Sequence, residues 1–100
     1  MQFIVTAYDG KDPQAYQRRL DARAAHLASA EAMYHSKTLL YAVAILDEQD
    51  KMIGSMLVVD FPSREALQTQ WLDQEPYITG NVWASVEIER CATPAFCTRD

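Results

Sequence analysis

The 100-residue chain places β-rich runs and helix-forming segments in the order β-α-β-β-α-β, and no other feature limits its fold as much. Gln2 to Tyr8 is β-branched and aromatic, and Asp9-Gly10 closes it with a turn pair. Asp12 before Pro13 reads as a helix N-cap followed by proline at the first helical position, where its missing N–H costs nothing. Tyr16, Leu20, Ala24, Leu27, Glu31 and Tyr34 recur at helical spacing and predict a largely apolar face on a helix over 13–34. Lys37 to Leu46 and Met52 to Asp60 are apolar strand runs, and the polar Asp47 to Lys51 between them predicts a hairpin. Pro62 stops the second run and Ser63 caps a second helix over 63–74 that buries Leu67, Trp71 and Leu72. Pro76 and Gly80 make Asp73 to Gly80 an irregular segment. In the last strand, over 81–90, Val82, Ala84, Val86 and Ile88 alternate onto one side.

These elements predict an α+β ferredoxin-like subunit, an antiparallel sheet with two helices on one face. The other face carries aliphatic and aromatic side chains, and such a patch is large for a monomer, so a second copy is expected to cover it as a homodimer. One hundred residues suit a single domain, with a core over 2–90 and a tail over 91–100 that is loose or lies on the partner.

Composition narrows function. Hydrophobic residues at 49% and charged residues at 23% are those of a folding domain. The formal charge of −5 disfavours nucleic acid, whose phosphates need a basic surface. No apolar run reaches the roughly 20 residues of a membrane span, and Met1 to Tyr8 lacks a signal-peptide pattern, so a soluble cytoplasmic protein is the expectation. Cys91 and Cys97, near the end, are expected to be reduced thiols and have no zinc-type spacing. The three glycines are isolated, and no phosphate loop, nucleophile elbow or metal cluster is present, so neither a cofactor nor a metal is expected.

Two stretches remain that can carry chemistry: Arg23-Ala24-Ala25-His26-Leu27 in the first helix and Asp73-Gln74-Glu75-Pro76-Tyr77 after the second. Arg23 and His26, three residues apart, share a helical face. Taken singly, each candidate has a plain structural explanation: Arg23 as an ion-pair partner, Glu75 as a solvated loop carboxylate, Tyr77, Trp71 and Trp83 as packing or interface residues. His35 is explained by the helix C-terminal dipole.

Together, Arg23-x-x-His26-Leu27, Gly54-Ser55, Glu75-Pro76-Tyr77 and Gly80-x-Val82 resemble the YciI-like (YCII-related) family over about Phe3 to Glu89. The resemblance implies a dimeric α+β barrel of ferredoxin-like subunits with a pocket between sheet and helix. It implies a His–carboxylate centre, with His26 and Glu75 catalytic and Arg23, Ser55 and Tyr77 binding substrate. The associated chemistry is lyase-type elimination, dehydrochlorination included, from a small polar or hydroxylated ring. Two positions depart from the family pattern. Glu75 stands where the family has Asp, with Asp73 as an alternative carboxylate, and Ala42-Val43-Ala44 stands where Ala-Gly-Pro is frequent at the pocket rim. The alternative is a non-catalytic ligand-binding or accessory dimer that keeps the scaffold after losing an aligned pair.

Overall fold

The computed structural model describes residues 1–97; the last three residues of the expected tail, 98–100, lie outside the described part. Strand β1 (Gln2–Asp9) leads to helix α1 (Ala15–His35), then to the hairpin of β2 (Leu39–Leu46) and β3 (Met52–Asp60). Helix α2 (Arg64–Gln70), a 3-10 turn at Leu72–Gln74 and the short helix α3 (Pro76–Thr79) precede β4 (Trp83–Cys91). A final 3-10 turn covers Ala95–Cys97. The sheet order is β2-β3-β1-β4 with every neighbouring pair antiparallel, which is the ferredoxin-like arrangement expected from the element order. Among the described residues no helix is long and apolar enough to cross a membrane.

One face of the sheet carries the core. Phe3, Val5 and Ala7 of β1 alternate inward with Leu57 and Val59 of β3, and meet Leu67, Trp71, Leu72 and Tyr77 from the helical segments. Ser63 caps α2 as expected, its Oγ accepting from Ala66 N at 3.0 Å. The loop at Asp47 turns because its carboxylate accepts from the backbone N–H groups of Gln49 and Lys51.

Several expectations need correction. Helix α1 begins at Ala15 rather than Pro13. Asp12 therefore does not cap it as an N-cap; its carboxylate accepts from Gln14 N at 3.2 Å and forks onto Arg18 at 2.8 Å. The buried face of α1 is Ala15, Arg19 and His26, with Ala22, Ala30 and Met33 packed beside them. Leu20 and Leu27, placed inward by hydropathy, are 43% and 47% exposed. The inward stripe is instead made of small residues and two hydrogen-bonded polar ones, joined in the last turns by Met33 and by Tyr34, the latter as the spacing predicts. The segment after α2 is not irregular: Pro76, which cannot continue a helix, starts a new one at its first position. In β4, Asp9 pairs with Trp83 and Tyr8 with Ser85, so Ala84 is the extra residue of a bulge and points to solvent. The bulge turns Trp83 inward, where it lies 5% exposed.

Candidate active site

His26 rises from the middle of α1 into the space over the sheet and is 7% exposed. Its ring stacks on Tyr77, with centroids 3.9 Å apart and planes 12° from parallel, and meets Trp83 edge-on at 6.0 Å. Its Nδ1 lies against Glu75 Oε1. Glu75, 2% exposed, is fixed by further donors: Trp71 Nε1 donates to Oε2 at 2.8 Å and Tyr77 N donates to Oε1 at 3.3 Å. A carboxylate surrounded by N–H donors is an acceptor only, so Nδ1 is the His26 nitrogen that donates to it, and Nε2 has no protein partner among the described residues.

The local sequence explains why Glu75 can do this. It is the residue before Pro76, held in extended backbone by the proline, and it is the N-cap of α3. The Glu side chain thus turns back over the first turn of α3 and reaches α1 across the gap. Asp73 is not an alternative: it sits on the exposed 3-10 turn and accepts from Gln68 Nε2 at 2.6 Å.

A second buried network adjoins the first. Arg19, 2% exposed, donates from Nη1 to both oxygens of Asp9 at 2.9 and 3.0 Å and from Nη2 to Ser55 Oγ at 3.0 Å. Its guanidinium lies over the Tyr77 ring, 4.7 Å from the centroid. Trp83 Nε1 also donates to Ser55 Oγ, at 3.2 Å. Burial pushes the Asp9 carboxyl above its ordinary range, against the downward pull of Arg19. Burial likewise raises the Tyr77 hydroxyl, opposed by Arg19 and Arg23.

Between α1 and the β2–β3 hairpin lies a cavity of about 180 Å³ whose walls include Arg19, Arg23, His26, Ser55, Leu57 and Tyr77. All four of His26, Arg23, Ser55 and Tyr77 expected at the site therefore meet there. Glu75 stands behind His26 rather than in the wall. Val43, which the resemblance put at the pocket rim, reaches the cavity's edge only as part of the β2 strand between Ala42 and Ala44; paired with Met56, it stands on the other face of the sheet, 40% exposed, and does not fill the cavity. Arg23 is exposed and forms no hydrogen bond or ion pair with the described residues. Arg19, Asp9 and the indole N–H groups of Trp71 and Trp83 were not anticipated. A buried tryptophan needs a partner for its N–H, which is the one sequence signal pointing toward them. Among the described residues no three His, Cys, Asp or Glu side chains gather to hold a metal ion. Cys91 and Cys97 are both free.

The fold and this cavity define a small ferredoxin-like α+β protein with a histidine–carboxylate pair set into a cleft above its sheet. Residues 1–92 match the YCII-related domain, and the chain belongs to that family. Among solved structures it is similar to a 5-chloro-2-hydroxyhydroquinone dehydrochlorinase of Burkholderia phenoliruptrix in complex with 2,5-dihydroxybenzoquinone. The identity is 23%, the TM-score 0.79, and the match covers 96% of this chain and 98% of that one. A structural-genomics protein of Agrobacterium tumefaciens aligns at 11% identity with a TM-score of 0.46, over 96% of each chain. No curated protein matches.

Proposed function

We propose that the cavity is a catalytic pocket in which His26 transfers a proton during lyase-type elimination from a small hydroxylated ring compound. Neutral His26 takes a substrate proton on Nε2. The electron pair of the broken bond to hydrogen forms the new double bond, and the leaving group departs with the pair of its own bond, as chloride in a dehydrochlorination. Glu75 stabilises the imidazolium so formed and fixes the ring. Arg23, Ser55 and Tyr77 position the substrate. No oxidant or reductant is consumed.

The observation that carries this reading is the contact of His26 Nδ1 with Glu75, which orients the ring and leaves Nε2 without a protein partner among the described residues. Membership of the YCII-related family and the dehydrochlorinase named for its neighbour support the elimination chemistry. The replacement of Asp by Glu, the ground for a non-catalytic reading, does not separate the carboxylate from the histidine.

The test is chloride release from 5-chloro-2-hydroxyhydroquinone by the full chain. His26→Ala is expected to lower the rate by about 10²-fold or more, the usual size of a general acid–base contribution. A rate unchanged in that variant removes His26 from the chemistry and leaves the pocket as the binding site of a non-catalytic protein.

A further inference from the structure

We infer that Ser55 is a hydrogen-bond donor reserved for the ligand, and that the cavity takes a single-ring compound presenting a phenolate, enolate or carbonyl oxygen to it. This rests on the proposed reading of the cavity as the substrate pocket, and it deepens that reading by fixing the polarity of one contact.

A hydroxyl has one proton to give and two lone pairs to receive. Both lone pairs of Ser55 are engaged, one by Arg19 Nη2 at 3.0 Å and the other by Trp83 Nε1 at 3.2 Å. Guanidinium and indole N–H groups cannot accept, so neither partner can take the Ser55 proton in return. Among the described residues the hydroxyl donates to no acceptor, and Ser55 is 3% exposed. The hydroxyl is therefore a donor with no protein acceptor, set in the wall of the cavity.

Its donors are themselves immobile. Arg19 is clamped by two bonds to Asp9 and lies on the Tyr77 ring, and Trp83 is turned inward by the bulge at Ala84. A cationic donor on the oxygen polarises the O–H bond and strengthens it toward an anionic acceptor. The only cationic wall group without a protein partner among the described residues is Arg23, so charge in the cavity favours an anion as well. Size sets the rest. A cavity of about 150 Å³ holds one benzene molecule, and the present volume of about 180 Å³ takes one ring with a few substituents.

The test uses three ring probes of nearly equal size with the full chain, followed by fluorine NMR at pH 7.5: pentafluorophenol, ionised at that pH, pentafluoroaniline, and pentafluorobenzene. The wild type is expected to bind the phenolate at least about tenfold more tightly than either other probe. Ser55→Ala is expected to lose about tenfold in phenolate affinity while pentafluorobenzene stays within about twofold, which shows the cavity intact. Ser55→Cys, a weaker donor of similar shape, is expected to fall between them and serves if the alanine variant does not fold. A wild type without phenolate preference, or a Ser55 variant that loses all three probes equally or none, overturns the inference. Only binding is read, so a failed turnover test of His26 does not decide this one, and a lost phenolate preference does not decide the turnover test.

Discussion

The Glu75 carboxylate that meets His26 Nδ1 is also the cap of the helix beginning at Pro76, since Oε1 accepts from Tyr77 N. One side chain therefore joins α1 to α3, and the orientation of the histidine is tied to the presence of a helix only four residues long. The indole of Trp71 completes the arrangement from the other oxygen, at 2.8 Å.

Replacing Glu75 by Gln keeps the shape but puts an NH₂ group where N–H donors converge. The amide nitrogen must face Trp71 Nε1 or the pair of His26 and Tyr77 N, and a stranded buried donor costs about 1–3 kcal/mol. If the amide nitrogen faces His26, it donates to Nδ1 and moves the ring proton to Nε2, the wrong tautomer for a base. The expected result of Glu75→Gln is a lower melting temperature and a switch of the His26 tautomer in nitrogen-15 NMR. Glu75→Asp, shorter by a methylene, is expected to lose at least one of the three donors and to melt lower as well. A Gln variant with the Nδ1–H tautomer and wild-type stability would show that Glu75 does not set the ring.

What the sequence made legible follows from where hydropathy and position agree. The β-branched runs of β1 and β3 alternate in register with their burial, so both were readable to within a residue. Helix α1 was readable in length and not in facing, because its inward stripe holds Arg19 and His26 while Leu20 and Leu27 face outward. A polar network in the interior inverts the rule on which facing is judged. His26 and Glu75 came from motif positions, whereas Arg19 and Asp9 belong to no local motif and meet only when α1 lies across the end of β1. The same applies to Trp83, whose inward turn depends on one bulge residue.

Gly54 precedes Ser55 for a steric reason. A Cβ at this position would lie 2.5 Å from the carbonyl oxygen of Ala7 on the neighbouring strand, and would also press on the side chains of Tyr8 and Ile45. Backbone cannot yield as a flexible side chain can, so Gly54→Ala must push β1 and β3 apart beside the Ser55 hydroxyl. Overpacking of this kind costs about 1–3 kcal/mol. Urea unfolding is expected to show a lower midpoint with an unchanged slope, and a midpoint equal to the wild type would contradict the close approach.

Asp12 makes an assignable contribution to acid stability. The Arg18 fork onto Asp12 holds its carboxyl down to about 2, below the ordinary value near 4. A folded-state pKa below the unfolded one means that the stabilisation is complete above about pH 4 and fades as pH falls toward 2. Asp12→Asn is expected to melt below the wild type at pH 5 to 7, and the gap between the two is expected to close as the pH is lowered through that window. A gap that stays constant down to pH 2 would mean that the Asp12 charge contributes nothing to it.

The sheet face opposite the helices presents Ile4 and Tyr8 from β1, Tyr41, Val43 and Ile45 from β2, and Met56 and Val58 from β3. Tyr41 is 57% exposed, and the β4 edge of the same face is polar, with Glu87 paired to Thr6 and Glu89 to Ile4. An apolar centre with a polar rim is the composition of an interface, and we propose that two copies meet here as a homodimer. Met56 stands in the middle of β3, where β2 lies on one side and β1 on the other. Light scattering is expected to return about twice the 11.3 kDa of one chain at micromolar concentration, with at least roughly 1,000 Å² buried between the copies. Met56→Lys puts a charge at the centre of that contact, where it would lie buried and unpaired, and is expected to give a folded monomer. A wild type that scatters as a single chain contradicts the dimer, and a Met56→Lys protein that still scatters as two would place the contact elsewhere on the molecule.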